Sequence, residues 1–151
     1  MYHICSTSGT FNHQFKNIYF QILAYTDEII NAFPELVSII TFGSTSEDRM
    51  LKAIKVSNGP DKKGIFFDAA MHAREWIGPP TLLYAINQLT ENQKLLDAND
   101  WYFLLIANPE GYIHSWTDDR FWRKTRRLNS NTFCVGTDLN RNFDQHWGGQ
   151  T

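Results

Sequence analysis

The residues that could do chemistry begin with His72 and Glu75, three apart in His72-Ala73-Arg74-Glu75-Trp76. An apolar run, Gly64 to Met71, reads as a buried strand just before them. Ile77-Gly78-Pro79-Pro80 and a helical pattern follow. A histidine and a glutamate at this spacing past a strand end can turn toward one point. Imidazole nitrogen and carboxylate oxygen are both zinc ligands, and open α/β sheets bind ligands at the carboxyl ends of their strands. The stretch therefore reads as half of a metal site. Taken alone, it reads more readily as a surface or outer-sphere pair.

A second candidate is the basic run Arg120, Arg123, Lys124, Arg126 and Arg127 around Trp122. Cations beside an aromatic ring can bind phosphate or nucleic acid. The chain carries a formal charge of −2, so no global field favours such a partner. Asn140 and Arg141 are unremarkable by themselves. His114 lies among aromatic residues and reads as loop packing; His146 reads as exposed, and His3 and His13 carry no signal.

The elements that must position these groups are legible from periodicity. Phe15 to Phe33 carries apolar residues mostly at helical spacing, ended by Pro34. Val37–Gly43 and the stretch from Met50 to Val56 read as strands joined by a turn over Gly43–Glu47. Asn58-Gly59-Pro60-Asp61 is a second turn. Gly64–Ala70 reads as a third strand, apolar enough to suggest burial on both faces. Pro79 and Pro80 open a helix whose apolar face is Leu82, Leu83, Ala85, Ile86 and Leu89. Trp101–Ala107 is a fourth strand, stopped by a loop at Asn108-Pro109-Glu110-Gly111. Residues 112–151 read as a long, aromatic, arginine-containing loop region, and loops of that length are usually functional.

Strands and helices in this order predict an α/β domain with a mixed sheet. At 151 residues the chain can bury a core, and its 42% hydrophobic content is globular. No apolar run is long enough to span a bilayer, and Met1 to Cys5 lacks the basic start and apolar stretch of a signal peptide. Cys5 and Cys134 allow at most one internal disulfide.

Four stretches in order resemble the zinc carboxypeptidases of the pancreatic A/B type. They are His72-Ala73-Arg74-Glu75-Trp76-Ile77, Asn108-Pro109-Glu110-Gly111-Tyr112, Arg120-Phe121-Trp122-Arg123-Lys124-Thr125-Arg126 and Gly136-Thr137-Asp138-Leu139-Asn140-Arg141-Asn142-Phe143. Gly43-Ser44 with Glu47 and Arg49 looks like the family's early turn. The resemblance implies a mixed, mostly parallel sheet with helices on both faces. It implies that residues 1–10 form a divergent N-terminal segment and residues 11–151 the N-terminal part of a catalytic domain.

The resemblance also implies roles. His72 and Glu75 look like the first two zinc ligands, and Arg74 like a substrate-contacting arginine beside the metal. Arg123 looks like the group that polarises the scissile carbonyl and steadies the oxyanion. Asn140 and Arg141 look like the pair that clamps a substrate's terminal carboxylate. These types suit the task, because arginine's planar fork matches a carboxylate in two hydrogen bonds. Zn²⁺ is the implied cofactor and a peptide or protein C-terminus the implied substrate, in a monomeric, extracellular enzyme. The family's third zinc ligand, its glutamate base, its mobile tyrosine and its side-chain pocket residue all fall beyond Thr151, so the chain reads as a truncated domain. The alternative is an inactive form that binds zinc or peptide C-termini weakly. Cys134 matches a family half-cystine whose partner also falls beyond residue 151, so it is not expected to pair with Cys5. Glu110 stands where the family usually has aspartate and takes no assigned role.

Overall fold

The computed structural model describes residues 17–130 and 133–145. Helix α1 spans Asn17–Ala32, strand β1 Val37–Ser44, β2 Met50–Val56 and β3 Lys63–Asp68. Helix α2 spans Gly78–Glu91, β4 Asn99–Leu104 and helix α3 Pro109–Thr117, with short 3-10 turns at Gln93–Leu96 and Leu139–Arg141. No helix among the described residues is long and apolar enough to cross a membrane. The 1–10 segment, Cys5, His3, His13 and His146 lie outside the described residues.

The sheet is mixed, in the order β1-β2-β4-β3. Only β3 and β4 run parallel, while β1–β2 and β2–β4 are antiparallel. The described sheet thus lacks the parallel majority expected. The β1–β2 connection is too short for a crossover, and strands joined by so tight a turn must run antiparallel. In that turn Thr45 N–H donates to Arg49 O at 2.9 Å, and Asp48 takes a left-handed φ of 59°. Gly43, at φ 139°, marks the bulge that shifts the register after Thr41.

The core joins Ile22 and Ile29 of α1, Val37 of β1, Ile54 and Val56 of β2, Leu82, Ile86 and Leu89 of α2, Phe103 of β4 and Tyr112 of α3. Successive residues Ala53 and Ile54 are both buried, so both faces of β2 are covered there. Strand β3 differs from its expected double burial. It is the edge strand, with Phe66 and Phe67 exposed. Phe67 stacks on Trp101 and Phe103, and Phe66 meets Phe42 edge-on. The apolar run reflects strand propensity without enclosure: among the described residues nothing pairs beyond β3.

The stretch expected to be loop from Asn108 onward instead opens α3. Asn108 Oδ1 accepts a hydrogen bond from Gly111 N–H at 3.1 Å, and Pro109 occupies the first turn. With only nine residues, one of them glycine, this helix carries a weak periodic signal. Its cap and packing hold it. Glu110, assigned no role from sequence, is buried. It accepts from Thr45 Oγ1 at 2.6 Å and pairs with Arg49 Nε at 3.2 Å, which ties α3 to the β1–β2 turn.

Candidate metal and oxyanion site

The parallel pair β3–β4 sets the site. Its two carboxyl ends lie side by side at Asp68 and Leu104. Pairing continues past both strands, with Ala69 N–H donating to Leu104 O at 3.0 Å and Ala107 N–H to Ala69 O at 2.9 Å. From β3 the chain turns into the segment bearing His72 and Glu75. From β4 it enters Asn108, α3 and then the segment bearing Arg123. Ala70, with a left-handed φ of 51°, makes the first of these turns without glycine's freedom. Such backbone persists where the surroundings fix it, and it is common at functional sites.

Asn108 joins the two segments. Its Nδ2 donates to Met71 O at 3.2 Å and to Lys124 O at 3.0 Å. Ala73 N–H donates to Arg123 O at 3.1 Å. A β-carbon on Gly111 would lie 2.6 Å from Lys124 O, so this close approach requires glycine. A third segment then returns alongside. Gly136 N–H donates to Arg127 O at 2.8 Å, Thr125 N–H to Thr137 O at 3.0 Å, and Leu128 and Val135 form a bridge. Gly136 has a φ of 82°, and a β-carbon there would stand 2.1 Å from Thr125 O. This return brings Asp138 to the site.

His72 is 8% exposed, and its ring is held at both nitrogens. Nδ1 lies 2.8 Å from Glu75 Oε1, and Nε2 lies 3.2 Å from Asp138 Oδ1. The other carboxylate oxygen of Asp138 accepts from Arg123 Nε at 2.8 Å. Asp138 also caps the following turn through Asn140 N–H. Burial alone would raise the Asp138 pKa. The Arg123 hydrogen bond, the Asn140 N–H, the Arg123 charge and the His72 contact outweigh it and hold the carboxyl below its ordinary value.

Each ring nitrogen faces a carboxylate oxygen, and in the tautomer with the proton on Nε2, toward Asp138, Nδ1 keeps its lone pair. Nδ1 and Glu75 Oε1 are then two lone-pair donors facing each other at 2.8 Å. Such a pair needs a proton or a metal cation between its members. A histidine ligand whose far nitrogen is fixed by a carboxylate is a standard second-sphere arrangement for zinc. The donor set therefore fits zinc in its chemistry. It supplies two ligands: among the described residues no group of three or more His, Cys, Asp or Glu side chains could hold a metal.

The structure thus brings His72, Glu75 and Arg123 together through Asp138. Arg74, Asn140 and Arg141 are exposed. Asn140 and Arg141 share the turn that Asp138 caps, so they sit beside the site, and Arg141 Nη1 donates to Asn140 O at 2.9 Å. His114 lies in the last turn of α3, 3.2 Å from Asp118 through Nδ1 and edge-on to Trp122. The basic run engages the protein's own groups: Arg123 binds Asp138, Arg120 lies over Trp76, and Lys124 and Arg126 approach Trp122. Cys134 is exposed. Asp138 and Asn108 were the positions sequence reasoning passed over. Their signals were an aspartate just before Leu-Asn-Arg and an Asn-Pro pair at a strand end.

Comparison with known proteins gives the same frame. Residues 22–151 match the family model described as zinc carboxypeptidase. Mast cell carboxypeptidase A of Mus musculus is 41% identical over 148 residues, 93% of this chain and 36% of the relative. Carboxypeptidase A from Helicoverpa armigera superposes with a TM-score of 0.80 at 36% identity, over 89% of this chain and 36% of that structure. Bovine thrombin-activatable fibrinolysis inhibitor, solved in complex with a tick carboxypeptidase inhibitor, gives 0.79 at 38% identity, over 85% of this chain and 44% of that one. The chain spans about a third of the length of the curated relatives it matches. With its mixed sheet and its strand-end site, the chain belongs to the zinc carboxypeptidase family.

Proposed function

We propose that this chain supplies two zinc ligands and the oxyanion arginine of a metallocarboxypeptidase, an enzyme that hydrolyses the C-terminal residue from peptides and proteins. The observation that carries the reading is the chain of contacts from Glu75 through His72 and Asp138 to Arg123. In it, His72 Nδ1 and a Glu75 carboxylate oxygen would hold zinc, whose chemistry there would be to acidify water and polarise a carbonyl.

The protein's own groups do the rest. Asp138 keeps the proton on His72 Nε2 and keeps Nδ1 as a donor. The same carboxylate orients Arg123 through Nε, leaving its terminal nitrogens for a developing oxyanion. Asn140 and Arg141 face solvent on the adjoining turn and accept the substrate's free carboxylate, with Arg74 contacting the peptide beside the metal. Recognition of a free C-terminus makes the reaction exopeptidic. The same reading assigns residues 11–151 to the N-terminal part of the catalytic domain and an extracellular site of action.

Zinc titration by calorimetry of the chain and its His72→Ala and Glu75→Ala variants tests the metal assignment. Saturable heat should be lost in both variants. Equal heats from the native chain and His72→Ala would remove it.

A further inference from the structure

Arg120 belongs to the basic run but takes no part in the site as assigned above. Its guanidinium carbon lies 3.5 Å from the centroid of the Trp76 ring, and its Nη1 donates to Arg74 O at 3.0 Å. The opposite face of Trp76 stacks on Trp116, with centroids 3.3 Å apart and planes 8° from parallel. Trp76 Nε1 donates to Ser115 Oγ at 2.9 Å, and that hydroxyl, with one proton to give, lies 2.7 Å from Tyr112 O and 3.0 Å from Ala73 O. The indole is thus clamped between α3 on one side and Arg120 on the other. These two contacts of Arg120 fall on residues flanking Glu75, and Arg120 is three residues before Arg123.

From this geometry we infer that Arg120 is a positioning residue: by stacking on Trp76 and binding the Arg74 carbonyl, it holds the His72–Glu75 segment in register with Arg123. The inference rests on the metal reading above for its consequence, but not for its geometry. A planar guanidinium can stack and donate at once. An ammonium keeps the charge but gives only a point contact. Lysine should therefore restore little of what alanine removes, whereas a role of bulk charge would be restored in full. The backbone bond from Ala73 N–H to Arg123 O is the direct reporter of the register.

The test compares the whole chain with Arg120→Ala, Arg120→Lys and, as a control, Arg127→Ala. Zinc affinity is read by competition with a chromophoric chelator, the Trp76–Trp116 couple by circular dichroism, and the Ala73 amide by hydrogen exchange. In Arg120→Ala, zinc affinity should fall roughly tenfold, the low end for loss of a second-sphere support. The tryptophan couple should weaken, and Ala73 should exchange faster while the amides of β2 and β4 do not. Arg120→Lys should recover less than half of the affinity, and Arg127→Ala should match the native chain. Zinc affinity within twofold of native in Arg120→Ala, or full rescue by lysine, overturns the inference. If the native chain itself binds no zinc, the metal reading fails separately. Ala73 exchange then decides: faster exchange in Arg120→Ala supports positioning and unchanged exchange refutes it. Should the alanine variant not fold, the same readouts on Arg120→Lys decide, native behaviour in all of them overturning the inference.

Discussion

Replacing Asp138 with alanine removes a carboxylate that touches both His72 and Arg123, and the contacts it loses set the cost. Hydrogen bonds to a charged partner contribute about 1.5–3 kcal/mol when the remaining group is left buried. His72 is buried, so losing the acceptor at Nε2 costs about 1.5 kcal/mol. Arg123's side chain is 28% exposed and that of Asp138 22%, so water recovers part of their pair. About 1 kcal/mol is a fair share there. Loss of the cap on the short turn at Leu139–Arg141 adds about 0.5 kcal/mol, the low end because the turn is brief and exposed. The total is about 3 kcal/mol. Asparagine separates the contributions: its carbonyl oxygen can still face His72 Nε2–H and cap Asn140, but its amide N–H groups then confront Arg123. Asp138→Asn should cost about 1–1.5 kcal/mol. Urea unfolding followed by tryptophan fluorescence reads both, provided the denaturant slopes agree. A stability for Asp138→Ala within about 1 kcal/mol of native, or an asparagine cost equal to that of alanine, would show that Asp138 does not hold His72 and Arg123 in this way. A double-mutant cycle with Arg123→Ala should return a coupling near the Arg123 share alone.

Two further perturbations test the frame around the site. Gly136→Ala puts a β-carbon 2.1 Å from Thr125 O at a left-handed φ, so the return segment must move. A loss above about 3 kcal/mol, read in thermal unfolding, is expected, and a native melting temperature would refute the close approach. Asp100 in β4 is buried and accepts from Lys55 at 2.6 Å. Burial alone would raise the Asp100 pKa, but the Lys55 and Ser57 hydrogen bonds, with the Lys55 and Lys62 charges, hold it below its usual value. The Asp100 hydrogen bond in turn raises that of Lys55, against the effect of desolvation. A depressed carboxylate gives stability that is whole above its unfolded pKa of about 3.9 and fades as pH falls through the folded value. The raised lysine keeps its share until pH climbs past about 10.4. Asp100→Asn should therefore cost about 2 kcal/mol, discounted because Lys55 is partly exposed, evenly between about pH 5 and pH 10. That gap should close below about pH 4. A gap that persists in acid would show that the pair does not carry the difference.

Most of the frame was legible because it rests on periodicity. The apolar spacing of α1 and α2, the β-branched run of β1, the apolar positions of β2 and the turn residues between them all act locally, so a window of the sequence contains their cause. Helix α3 was not legible in the same way. It owes its existence to Asn108 capping Gly111 and to the burial of Tyr112, with a glycine inside its first turn that propensity alone would penalise. The edge position of β3 was hidden for a related reason. A run such as Ile65-Phe66-Phe67 records what a strand can bury, while enclosure depends on neighbours that lie far away in sequence.

The site shows the same division more sharply. His72 and Glu75 are three residues apart, so their pairing is a local matter and could be suspected from spacing. Asp138 reaches His72 across 66 residues, and an aspartate in a loop has no signature of its own. What marks it is the backbone that delivers it. Two residues before it, Gly136 is a position where a side chain cannot exist, because Thr125 O already occupies the space. The placement of Asp138 is therefore encoded two residues upstream, in a glycine whose requirement becomes visible only when segments 123–128 and 133–138 lie against each other. A functional carboxylate of this kind is better sought through the constrained glycine that precedes it than through its own identity. Gly136→Ala should therefore abolish the Asp138–His72 contact even though neither residue has changed.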